Sequence, residues 1–163
     1  MSHSLQTKPA VWWGWFPIFL VIFEVSVYTA NDMIQPAMPR VVSDYGVSGA
    51  WIATALTAFM IGGGMLTWLL GPYSELVGRR PVLLGGVALF FIACLATYFI
   101  EHLEGFMLLR VLQGMGMSFI GAVGYAAIQE GFDEKRAIRI MALLAHDSLI
   151  APLLGPLLVA MII

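Results

Sequence analysis

Charge is scarce in this chain. Of its 163 residues 60% are hydrophobic and only 11% are charged, whereas soluble domains carry about 25% charged residues. Amphipathic rhythm is missing as well, because the long apolar runs are apolar on every face where a soluble helix would pair a buried stripe with a polar one. Together the two deficits exclude a water-soluble domain and leave a helical bundle in a bilayer. A net charge of −2 without a basic patch excludes nucleic acid as a partner. The single cysteine, Cys94, excludes an intramolecular disulfide. Enzyme machinery is also lacking: there is no phosphate-binding glycine loop ending in Lys and Ser/Thr, no His-Glu-x-x-His, no nucleophile elbow and no metal-spaced cysteines. Neither catalysis nor a metal or cofactor is expected, and no linker or second domain interrupts the chain.

What is present is a succession of apolar runs of roughly 20 residues, each long enough to cross ~30 Å of hydrocarbon as a helix. The spacing predicts an all-α membrane protein with helices at about 12–34, 49–70, 82–100, 105–128 and 137–163. The first opens on the interfacial aromatics Trp12, Trp13 and Trp15 and is expected to end before Pro36. It carries Glu24 in its middle and lacks a small-residue cleavage site, so it reads as a retained span, not a signal peptide. Lys8, Arg79, Arg80, Lys135, Arg136 and Arg139 fall on one side of this arrangement, and only Arg40 on the other, beside the acidic loop Glu101, His102, Glu104. The positive side faces the cytoplasm, which puts the amino terminus inside. The bare apolar end at Ile163 suggests the front part of something longer.

The stretch Gly71 to Pro81, GPYSELVGRRP, concentrates charge between two uncharged runs. Its breakers Gly71, Pro72, Gly78 and Pro81 predict a tight loop, with Arg79 and Arg80 set against Glu75. Small residues recur at four-residue intervals in Ala50, Thr54, Ala58 and Gly62, and Gly114, Gly121 and Gly124 share a similar face of a later helix, as close helix packing or a moving interface would require.

Four ionisable residues lie inside spans: Glu24, Asp32, Arg110 and Asp147. An acid or arginine at a helix centre costs on the order of 2.5–3.5 kcal/mol, so all four facing lipid would cost roughly 10 kcal/mol. They must face the bundle interior or water. Glu24, Tyr28, Asn31 and Gln35 are spaced to share one helix face, the wall of a cavity. Asp32 and Arg110 fall at comparable depth on antiparallel helices and pair on this reckoning, either as a static salt bridge or as a protonation-sensitive switch. Asp147, beside His146, falls near mid-membrane and is either solvated in the cavity or functional.

These motifs carry a resemblance. GPYSELVGRRP resembles the G-x-x-x-D-x-x-G-R-R/K loop of major facilitator superfamily transporters, although Glu75 replaces the usual Asp and Leu76 stands where a basic residue commonly follows. RVLQGMG, from Arg110 through Gln113 and Gly114, is similar to the R-x-x-Q-G motif of helix 4. APLLGP, with Ala151, Pro152, Gly155 and Pro156, resembles the kinked helix 5 motif of drug/proton exchangers. FEVSVYTANDMIQP, GGMLTWLLGP and FIGAVGYAAIQEGF together resemble the MdfA-type multidrug/proton antiporters.

The resemblance implies the first five helices of a six-helix half whose partner half is missing here. It also implies a membrane acid pair and arginine at Glu24, Asp32 and Arg110, and export of lipophilic, often cationic compounds in exchange for protons across a bacterial inner membrane. A carboxylate in a low-dielectric cavity can hold a proton from outside and release it when a cation binds. Two other readings stay open: a superfamily transporter of one defined metabolite, and a truncated, non-transporting membrane protein.

Overall fold

The computed structural model describes residues 14–146 and Leu157. Among these residues it is all helix, in the order α1 (Phe16–Asp44), α2 (Ala50–Met65), α3 (Thr67–Val77), α4 (Arg79–Thr97), α5 (Leu103–Phe119), a π-helical turn (Ile120–Gly124) and α6 (Tyr125–Gly131). Residues 134–146 are helical as well and are called α7. Among the described residues, four stretches are long and apolar enough to cross a membrane: α1, α2 with α3, α4, and Leu103–Gly131. Large apolar side chains such as Trp68, Ile92, Leu95 and Phe99 point outward and are exposed. Such a surface is a liability in water and is ordinary solvation in lipid.

Three features depart from the sequence reading. The first helix does not stop before Pro36 but runs through Pro36 and Pro39 to Asp44. A proline in a membrane helix can be absorbed because neighbouring groups re-satisfy the carbonyl it frees, while unwinding would expose several backbone groups where water is absent. The Gly71–Pro81 stretch is not a loop: α3 carries Pro72 inside it, and the turn shrinks to Gly78, whose φ of 105° lies where side chains other than glycine are strained. The second span is interrupted instead at Leu66, between α2 and α3.

The third departure is in the small-residue stripe. Ala55, Ala58 and Gly62 are buried while Ala50 and Thr54 are exposed, because an α-helix repeats every 3.6 residues and a strict four-residue spacing drifts about 40° per step. Where the stripe is real the contact is close. A Cβ on Gly62 would lie 2.0 Å from the Val111 carbonyl oxygen and one on Gly114 would lie 1.9 Å from that of Phe59. Here α2 and α5 meet backbone to backbone, and this is the most extensive helix pairing among the described residues. Ser118 Oγ seals it by donating to the carbonyls of Gly63 at 2.7 Å and Gly62 at 3.2 Å. Gly121, by contrast, has open space around it.

Phe23, Val27, Phe59, Phe90, Val123 and Leu144 belong to one main core, with the Phe23 and Phe90 rings edge to face at 5.8 Å. Met38, Val42, Ala55 and Phe106 form a smaller core where α1 ends, and Tyr45 Oη closes that end by donating to the Ile100 carbonyl at 3.0 Å.

Candidate functional site

The acids on α1 are as deep as their insertion cost demands. Glu24 is 2% exposed and Asp32 8% exposed, and Arg110 on α5 is 1% exposed. Glu24 Oε1 accepts a hydrogen bond from Tyr125 Oη at 3.1 Å, across 101 residues of sequence. Tyr28, one turn further along α1, is half-buried beside it.

Asp32 and Arg110 do not form a direct ion pair; among the described residues the only such pairs join Arg79 to Glu75 and to Glu130. They meet through Asn31. The Arg110 guanidinium donates to Asn31 Oδ1 at 3.1 Å, and Asn31 Nδ2 donates to Asp32 Oδ1 at 3.1 Å. The reason lies in helix geometry, since consecutive side chains leave an α-helix about 100° apart. With the amide of Asn31 turned to α5, the carboxylate next to it is turned aside. Gln35 Nε2 donates to the same Asp32 oxygen at 3.2 Å.

Arg110 is the centre of a polar chain that crosses three spans. Besides Asn31 it donates to Gln113 Oε1 at 2.9 Å, Gln113 Nε2 donates to Thr97 Oγ1 at 2.8 Å, and Thr97 donates to the Ala93 carbonyl at 2.8 Å. Its guanidinium carbon also lies 5.0 Å from the centroid of the Phe59 ring, a cation–π contact. Asp32 Oδ2 and Arg110 Nε have no hydrogen-bond partner among the described residues.

A second polar cluster gathers where α3 and α6 end and α4 begins. Arg79 Nη2 lies 2.6 Å from Glu130 Oε1 and its Nε donates to Glu130 Oε2 at 3.2 Å, a bidentate fork. Nη1 donates to the Gly71 carbonyl at 3.2 Å and to Ser74 Oγ. Glu75, which the sequence set against Arg79, stands 3.5 Å away with its side chain 68% exposed; a solvated pair of that kind contributes little. Arg80 points elsewhere, to the rim of an apolar cleft of about 550 Å³ between α1 and α4 lined by Trp15, Phe19, Phe23 and Leu83. That cleft lies about a quarter turn of α1 away from the polar face, so it is separate from the acids.

Tyr125, Glu130, Ser74, Thr97 and Phe59 do not stand out in the sequence as site residues. Glu130 was findable: antiparallel spans bring the end of the fourth to the same face as the start of the third, where Arg79 stands. Asp147 and the helix 5 motif, Ala151, Pro152, Gly155 and Pro156, lie outside the described residues, as do Trp12 and Trp13.

The arrangement of buried acids, a forked arginine and a glycine-paired helix interface has a relationship in sequence. The sequence model of the Major Facilitator Superfamily matches residues 12–163. The chain belongs to that superfamily. Over 142 residues, 87% of this chain, it is 55% identical to the multidrug transporter MdfA of Yersinia pestis (strain Angola) and covers 35% of that relative. The multidrug transporter MdfA of Escherichia coli O157:H7 gives the same identity and shares, and that of Edwardsiella piscicida is 54% identical over the same length and shares. The chain thus spans about a third of the length of these relatives. Membership and the four spans together make it a multi-pass membrane protein of a transporter superfamily.

Proposed function

We propose that this chain supplies the amino-terminal spans of a proton-coupled multidrug efflux antiporter that exports lipophilic, often cationic compounds. The observation that carries this reading is the pair of buried carboxylates on one helix, Glu24 held by Tyr125 and Asp32 reached by Arg110 through Asn31. Buried acids that accept hydrogen bonds from neutral donors can exchange those contacts for a proton or an organic cation. The likeness to relatives named multidrug transporters supports the substrate class. In this reading Glu24 is the acid that meets the substrate, and Asp32, whose charge is balanced at one remove by Arg110, is the second proton-responsive group. Tyr28 and Asn31 line the path between them. Asp147 and the helix 5 motif are assigned to the same cavity and to the contact with the other half of the transporter. Lipid surrounds the bundle, and Arg79 with Glu130 closes the end at which α3 and α4 meet.

Glu24→Gln removes the charge but keeps shape and hydrogen bonding. In cells expressing the complete gene product, it lowers resistance to a cationic drug about tenfold more than resistance to a neutral one, the ratio expected from one charge-assisted contact. Equal loss for both drugs would remove Glu24 from the role of charge selector.

The membrane is assigned as the bacterial cytoplasmic membrane, with the amino terminus and the Arg79 end in the cytoplasm, on the distribution of Lys and Arg. Cysteines placed at Asp44 and at His102 then react with an impermeant thiol reagent in intact cells, and cysteines at Arg80 and Lys135 do not. The opposite labelling pattern would invert the orientation.

A further inference from the structure

The short helix α6 carries two polar contacts that no other described segment connects. At its start Tyr125 bonds Glu24 on α1, and near its end Glu130 holds Arg79 on α4. Five residues of helix separate them, about 7.5 Å along the axis and about 140° around it, which is why one side chain reaches α1 and the other the start of α4. Between them Ala127 and Ile128 are 1% and 0% exposed and fix the segment in the core. Upstream, α6 is joined to α5 by the π-helical turn Ile120–Gly124 and not by regular α-helix. A π-turn replaces the regular i→i−4 ladder with i→i−5 bonds and is found inside α-helices, frequently at functional sites. Its Gly121 has open space around it, while Gly124 sits beneath Leu20 of α1, whose Cδ1 would be 2.8 Å from an added Cβ.

We propose that α6 is a connecting rod and Tyr125 its positioning residue, tying the state of the Glu24 carboxylate to the Arg79–Glu130 pair. While Glu24 is an anion, its oxygen accepts from Tyr125 and α6 is held at both ends. When a proton or a ligand cation takes up that carboxylate, the Tyr125 bond weakens, α6 turns about the π-turn, and Glu130 withdraws from Arg79. The Arg79 guanidinium then loses its bidentate partner and its grip on the Gly71 carbonyl, and the junction of α3 with α4 loosens. An event at the buried acid is thereby reported at the end of the bundle without passing along α5 or through the Arg110 chain. The purpose assigned to the rod rests on the transport reading, but its mechanics are measurable without transport.

Leu70, 7% exposed and next to Gly71 on α3, reports the looseness of that junction. In the complete gene product with Cys94→Ala and Leu70→Cys, purified into lipid nanodiscs, the reaction rate of the thiol with a bulky maleimide is the readout. Tyr125→Phe, which keeps the ring and removes only the hydroxyl, raises the rate about tenfold, as losing one hydrogen bond to a charged group does. Glu24→Gln, whose amide oxygen is a weaker acceptor than a carboxylate, raises it by a smaller factor, and the two substitutions together raise it no further than Tyr125→Phe alone. Glu130→Gln raises it too, and adding Tyr125→Phe to that variant changes nothing more. An unchanged rate in Tyr125→Phe alongside a raised rate in Glu130→Gln would overturn the rod, as would effects of Tyr125→Phe and Glu24→Gln that multiply. Absent export in the unaltered protein would overturn the proposed function, while these thiol rates would still decide the rod.

Discussion

Arg110→Ala abolishes resistance to a cationic and a neutral drug alike, and Arg110→Lys restores no more than a fraction of it, in cells expressing the complete gene product. The expectation follows from how much converges on one guanidinium. It reaches Asn31 and Gln113 with separate nitrogens and lies over the Phe59 ring. Removing it leaves a buried Asp32 whose described donors are two neutral amides, and stranding one member of a buried charged set costs about 3–5 kcal/mol. It also strands the Gln113 carbonyl and turns the Asn31 amide loose. Lysine supplies the charge but not the planar fork that serves two acceptors at once. Because the damage falls on the framework shared by both substrate classes, loss in Arg110→Ala is general, in contrast to the selective loss in Glu24→Gln. Normal resistance in Arg110→Ala would show that the Asn31-mediated contact is dispensable.

Gly114→Val prevents accumulation of folded protein, and Gly114→Ala lowers the melting temperature in detergent markedly. A Cβ at this position would stand 1.9 Å from the Phe59 carbonyl oxygen, and the obstacle is backbone, which cannot rotate out of the way. Overpacking a core typically costs about 1–3 kcal/mol when side chains can yield; here α2 and α5 themselves must separate, which also pulls Ser118 from the two carbonyls it bonds. Gly64→Ala is the matched control, since nothing lies within 4 Å of its added methyl. That variant should melt within a degree or two of the unaltered protein, as surface substitutions do. Equal melting temperatures for Gly114→Ala and Gly64→Ala would show that the helices are not in backbone contact.

Where a single physical demand dominates, the sequence is legible. Hydrocarbon tolerates only long apolar helices, so the four spans are visible from run length alone, and the expense of burying charge by itself singles out Glu24, Asp32 and Arg110. Legibility fails where two demands compete. Pro36 and Pro72 read as breakers because proline lacks a donor, yet both sit inside helices since opening the backbone in lipid costs more. The Asp32–Arg110 link is correct in depth but not in contact, because depth fixes the turn of the helix and leaves open which neighbour on that turn reaches across. Asn31 does so, one position away. Tyr125 and Glu130 lie in a motif that carries the family resemblance, but a likeness of strings says nothing of which members touch. The π-helical turn that precedes Tyr125 leaves no mark in hydropathy, which reads apolar content and not the number of residues per turn.

The uneven grip among the spans has a mechanical consequence. The pairings of α2 with α5 and of α4 with α5 are extensive, whereas α1 touches its neighbours sparingly among the described residues. Both buried acids ride on α1. Any push exerted on Glu24 or Asp32, by a proton's arrival or a ligand's departure, is therefore delivered to the least anchored of the described spans, and the glycine-locked slab behind it serves as the fixed frame against which that push becomes displacement.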